Sequence, residues 1–149
     1  MSEKIGKVLI VDDDQDVLQA ASLLLKKHVS LLHSETDPQR IPVLLKNENY
    51  DIIFLDMNFS GNLTSGTEGF HWLSKIMEID PSVVVILITA YGDIETAVQA
   101  IKSGATDFIL KPWQNEKLLA TLSSALMLRK SRLEVHQLKV KSVAPDLIA

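Results

Sequence analysis

Asp51-Ile52-Ile53-Phe54-Leu55-Asp56-Met57-Asn58 is the stretch on which the fold turns. Its four consecutive apolar residues between carboxylates read as a short strand buried on both faces, the pattern of a parallel sheet covered by helices. Asp56 then stands where the strand runs out, in the crevice where open α/β sheets place their chemistry.

Upstream, Lys7–Val11 is a β-branched apolar run that stops at Asp12-Asp13-Asp14. Val17, Leu18, Ala21, Leu24 and Leu25 then recur at helical spacing between Asp16 and Lys27, with Asp14 or Asp16 placed to cap the helix. Val29–Leu32 reads as a second strand, and Pro38 fits the first turn of a helix running to about Lys46. Downstream, Asn58 to Glu68 is a long loop rich in Gly, Asn, Ser and Thr, before apolar spacing resumes at Phe70, Trp72, Leu73 and Ile76. Ser82–Ile88 is a strand broken at Thr89-Ala90-Tyr91-Gly92. A helix from about Asp93 to Lys102 ends at Gly104, and Thr106–Leu110 is a strand closed by Lys111-Pro112. A last helix begins near Asn115 and continues past Lys130.

This alternation predicts an α/β fold: a doubly wound five-stranded parallel sheet, helices on both faces, right-handed crossovers and the flavodoxin-like order 2-1-3-4-5. The length of 149 residues suits one domain with a short appendage, here divided as 1–127 and a helical extension 128–149. A net charge of −4 with scattered basic residues gives no footprint for nucleic acid. The absence of cysteine excludes disulfides, a thiol nucleophile and thiolate metal sites. Neither a signal peptide nor a membrane-length apolar run is visible, so a soluble cytoplasmic protein with no membrane contact is expected.

The strand exits carry Asp12 and Asp13, Asp56, Thr89 and Lys111: three acids, a hydroxyl and a cation. Taken singly, each has an ordinary explanation as a cap, a strand end or a surface lysine. Together, at the carboxyl ends of neighbouring strands, they converge. Clustered carboxylates call for a hard cation, and Mg²⁺ suits them, with Mn²⁺ as a substitute. Asp13 and Asp56 are the expected direct ligands, Asp12 acts through a bound water, and the backbone carbonyl of Asn58 fills another position. Asp56 is then equipped to attack phosphorus and form an acyl phosphate, with Lys111 and Thr89 offsetting charge on the phosphoryl oxygens. Ala90 keeps the approach open at the phosphoryl contact.

The set Val11-Asp12-Asp13, Asp56, Thr89-Ala90 and Lys111-Pro112 resembles the receiver domain of two-component response regulators over roughly residues 4–127. The resemblance implies that Asp56 accepts a phosphoryl group from a sensor histidine kinase or phosphotransfer protein. It places Phe108 at the family's aromatic switch, coupled to Thr89. Thr89-Ala90-Tyr91-Gly92-Asp93-Ile94 looks like receivers of the NtrC-like class, which implies a transcriptional output domain. One departure stands out: the Asn58–Gly69 loop is longer than usual and lacks proline.

Two other readings compete. An aspartyl-phosphate phosphohydrolase would use the same groups, but that class places an acid two residues after its nucleophile, where this chain has Asn58, which cannot donate a proton in that way. A receiver-like interaction module that never sees phosphate would not need the acids, Thr89 and Lys111. His28, His33, His71 and His136 lack metal-ligand spacing, and Trp72 and Trp113 read as packing residues. Finally, Leu119, Leu126, Leu133 and Val140 recur every seven residues, a seam for a homodimer through the C-terminal helix, with Arg129 and His136 poor companions in it and Pro145 as the exit.

Overall fold

The structure is a computed structural model that describes residues 6–57, 67–90 and 94–148, with Thr67 and residues 136–148 described by backbone alone. The elements are β1 Lys7–Val11, α1 Gln15–Leu25, β2 Leu31–Glu35, α2 Ile41–Asn47, β3 Ile52–Asp56, α3 Thr67–Ile79, β4 Val84–Ala90, α4 Ile94–Lys102, β5 Asp107–Lys111 and α5 Asn115–Ile148. Among the described residues the strands form one parallel sheet in the order β2-β1-β3-β4-β5, as the alternation predicted.

The period of two along each strand divides the core. Leu9, Val11, Ile53, Leu55, Val85 and Leu87 face α2, α3 and α4, meeting Ile41, Leu45, Leu73, Ile76 and Ala100. Val8, Ile10, Ile52, Phe54, Val84 and Ile86 face α1 and α5, meeting Leu18, Ala21, Leu25, Leu118, Leu122 and Ala125. β3 lies in the middle of the sheet with all five residues buried. Each such aliphatic side chain contributes about 1.5–3 kcal/mol, so the strand that ends in Asp56 is among the most firmly held.

Local chemistry sets the element ends. Asp14 caps α1, its side chain accepting from the Asp16 N–H at 2.9 Å. Gly104, at φ +120°, closes α4, and the Ala105 N–H donates to the Ala100 carbonyl at 3.0 Å. The Lys111–Pro112 peptide is cis. On α4, Ile94, Val98 and Ile101 form an exposed apolar stripe.

Several boundaries differ from the sequence reading. β4 runs Val84–Ala90, not Ser82–Ile88, so Thr89 and Ala90 end the strand and do not break it; β5 is Asp107–Lys111, and Pro38–Arg40 form a separate 3-10 turn before α2. β2 starts at Leu31, not Val29, and runs through His33 and Ser34 to Glu35. It is an edge strand paired with β1 alone, so its half-exposed side chains need not be apolar, whereas Val29 is buried in the preceding turn. α3 takes Thr67 and Glu68 from the expected loop, whose residues 58–66 lie outside the described residues. α5 continues through Pro145 to Ile148 instead of ending there.

Candidate functional site

Four strand ends meet at one edge of the sheet. Asp12, the residue after β1, is fully buried, and its amide is held by the Glu35 carbonyl at 3.1 Å. Its Oδ1 accepts from the Asp14 N–H at 2.9 Å, so the acidic run divides its work: Asp12 faces inward, Asp13 is exposed and Asp14 caps the helix. Asp56 ends β3 at 1% exposure, opposite Ile88 of β4. The next residue is fixed too, Met57 N–H donating to the Ile88 carbonyl at 3.0 Å. Thr89 is buried on β4, and its Oγ1 has no hydrogen-bond partner among the described residues.

Lys111, the last residue of β5, stands opposite Ala90 and reaches across the strand ends. Its Nζ lies 2.9 Å from Asp12 Oδ2 and 3.4 Å from Asp56 Oδ1. The closer contact is an ion pair by distance, off the line of a well-directed hydrogen bond. Burial lowers the Lys111 pKa, but the close Asp12 carboxylate and the charge of Asp56 outweigh it, and the ammonium ends with its pKa raised.

Carboxylate oxygens of Asp12, Asp13 and Asp56 all lie within 4.8 Å of one another. One ammonium against three carboxylates leaves two formal negative charges, and the donors are all hard oxygens. That set fits a divalent ion of the Mg²⁺ type. Ala90 is exposed beside Thr89.

The structure brings Asp12, Asp13, Asp56 and Lys111 together and places Thr89 at the carboxyl end of the adjoining strand β4. Asn58 and Tyr91–Asp93 lie outside the described residues. Phe108 stands apart at the other end of β5, half-buried opposite Leu87 and packed on the α3 side of the sheet. Trp113 packs against the core as expected, but it also lines a cleft of about 490 Å³ next to Lys111, with Asp16, Val17, Ala20 and Pro112. Its chain position, two residues after Lys111, was the available signal.

Residues 8–123 match the response regulator receiver domain family. The chain belongs to that family. The receiver is 34% identical over 132 residues to the nitrogen assimilation regulatory protein NtrX of Azorhizobium caulinodans, covering 89% of this chain and 28% of that protein. It is also 34% identical over 128 residues to the response regulator PilR of Pseudomonas aeruginosa, covering 86% and 28%. These relatives are NtrC-family regulators, and the receiver spans less than a third of their length. Among solved structures, the N-terminal signal receiver domain of a Bacteroides fragilis response regulator superposes with a TM-score of 0.74 at 44% identity, covering 83% of this chain and 98% of that one. NtrX of Brucella abortus with ADP superposes with a TM-score of 0.82 at 29% identity, covering 90% and 30%. Receivers of this family work as phosphorylation switches between histidine kinases and output domains.

Proposed function

We propose that Asp56 is the phosphoacceptor. An Asp56 carboxylate oxygen attacks the phosphorus of a phosphohistidine on a sensor kinase or phosphotransfer protein; the new P–O bond forms as the P–N bond breaks, and the histidine leaves with the electron pair. Lys111 pairs with a phosphoryl oxygen, the Thr89 hydroxyl donates to another, and Ala90 leaves the approach clear. Asp13 and Asp56 would hold Mg²⁺, or Mn²⁺, directly and Asp12 through water, and the Asn58 carbonyl would be a further ligand. Bound there, the ion supplies charge neutralisation for the incoming phosphoryl group.

The observation that carries this reading is Lys111 Nζ poised over both Asp12 and Asp56 at the exit of the central strand. The cleft along Val17, Ala20 and Trp113 is the approach route for the donor. The buried Thr89 hydroxyl, unpaired among the described residues, is the sensor that turns Phe108 inward, changing the α4 and β5 face. Residues 1–127 are the receiver, and 128–149 are a helical linker to an output domain that controls transcription. Two identical chains pair through that helix in the cytoplasm.

Incubation with acetyl phosphate and Mg²⁺ tests the assignment by intact mass. One phosphoryl group is expected on the native chain and none on Asp56→Asn. Labelling of comparable yield in the variant, mapped to another residue, overturns it.

A further inference from the structure

The inward face of α5 changes character as it passes the end of the sheet opposite to Asp56. Leu118, Leu122 and Ala125 are buried against the strands, and the next residue in that row is Arg129, only 8% exposed, followed by Arg132. Arg129 Nε donates to Asp51 Oδ1 at 3.0 Å and Nη1 donates to Ser82 Oγ at 2.7 Å. Arg132 Nη1 reaches the carbonyls of Val83 at 3.2 Å and Ser82 at 3.4 Å.

The acceptors are themselves fixed. Asp51 Oδ2 takes the Lys7 N–H at 2.8 Å, and the Asp51 carbonyl takes the Val84 N–H at 3.1 Å. The Ser82 hydroxyl donates to Asp80 Oδ1 at 2.7 Å. Arg129 is thus tied to the amino ends of β1, β3 and β4 at once. The sequence reading counted Arg129 as a poor companion in the seam of Leu119, Leu126 and Leu133; the structure bonds Arg129 itself to the ends of the chain's own sheet.

We propose that Arg129 is a positioning residue: a latch that fixes the rotation and direction with which α5 leaves the domain. Apolar contact alone is non-directional and lets a helix roll, whereas a guanidinium fork bonded to a carboxylate and a hydroxyl admits one orientation. A buried ion pair adds little net stability over an apolar pair of similar size, and its more specific use is to select one arrangement. Here the selected arrangement is that of the helix segment beyond Arg132, where Leu133 and Val135 are already exposed. Two identical chains joined along this helix would then meet in one register. That consequence rests on the receiver reading above; the latch itself does not.

The chain has no cysteine, so spin labels enter cleanly at Leu23→Cys on α1 and Val135→Cys on α5, both exposed. The full 149-residue chain is expected to give a narrow distance distribution, measured by pulsed dipolar spectroscopy without any phosphodonor. The double variant Arg129→Met with Asp51→Asn keeps bulk and the Lys7 contact while removing the fork. It is expected to broaden the distribution at least twofold and to speed amide exchange over residues 129–135 by about tenfold or more, the loss of the fork's two charge-assisted bonds. Acetyl phosphate labelling of Asp56 is expected to persist in the same variant, which separates failure of the latch from failure of the phosphoacceptor assignment. If the double variant does not fold, Ser82→Ala decides by the same two readings. An unchanged width and unchanged exchange in either folded variant overturn the proposal.

Discussion

Gly69, in the first turn of α3, lies so close to Met57 that a β-carbon on it would sit 2.7 Å from the Met57 Cα and 2.6 Å from its sulfur. The helix is therefore seated on the backbone of the residue that follows Asp56. Gly69→Ala has backbone on one side to meet, not a flexible chain end, and is expected to lower stability by about 1–3 kcal/mol. Denaturant unfolding measures the loss, and a variant as stable as the parent removes this close approach.

Metal removal gives the second prediction. Clustered carboxylates of like charge oppose folding, and an ion that binds the folded site but not the unfolded chain stabilises it. Mg²⁺ at ten times its dissociation constant is expected to add about 1.4 kcal/mol, seen as a rise of several degrees in the melting temperature. Asp13→Asn is expected to melt higher than the parent without metal and to respond less to Mg²⁺. An undiminished response takes Asp13 off the ligand set.

The third concerns pH. The Lys111 pKa is raised in the folded protein, so its ion-pair contribution is whole below the unfolded value of about 10.4 and is lost as pH rises through the higher folded value. The Tyr50 hydroxyl, its pKa also raised by burial, loses stability in the same alkaline direction, but that loss is common to parent and variant. The stability gap between the parent and Lys111→Met is therefore expected to be constant from pH 7 to 9 and to narrow above about 10.4. A gap that widens there contradicts the ion-pair assignment.

The fourth isolates the switch. Thr89→Val keeps the shape of the side chain and removes the hydroxyl. Phosphorylation of Asp56 is expected to continue in this variant while the accompanying chemical-shift changes between residues 90 and 108 disappear. Changes of full size mean that Phe108 is coupled by another route.

The strand exits were legible because each apolar run ends abruptly in a residue that has no business in a core, and parallel topology then collects those ends at one edge. Asp56 and Lys111, 55 positions apart, were brought to one spot by that logic alone. β2 was misplaced because edge strands owe little to hydrophobicity, so His33, Ser34 and Glu35 carried no strand signal while the buried turn residue Val29 did. Arg129 could not be assigned because a row on a helix has no address until it is known whether sheet, water or another helix lies beneath it. The Gly69 contact was hidden for a related reason: a close approach depends on where α3 docks, which no local pattern encodes.

The sheet divides the core into two halves built from alternate residues of the same strands. The cleft beside Lys111 and the departing α5 belong to the half shared with α1, whereas the exposed stripe of Ile94, Val98 and Ile101 rides on α4 over the other half. Substitutions on α4 can therefore accumulate without disturbing the packing behind the cleft. On the function proposed above, a lineage could change what listens to this domain while keeping what speaks to it, because the two conversations would be held on opposite sides of one wall.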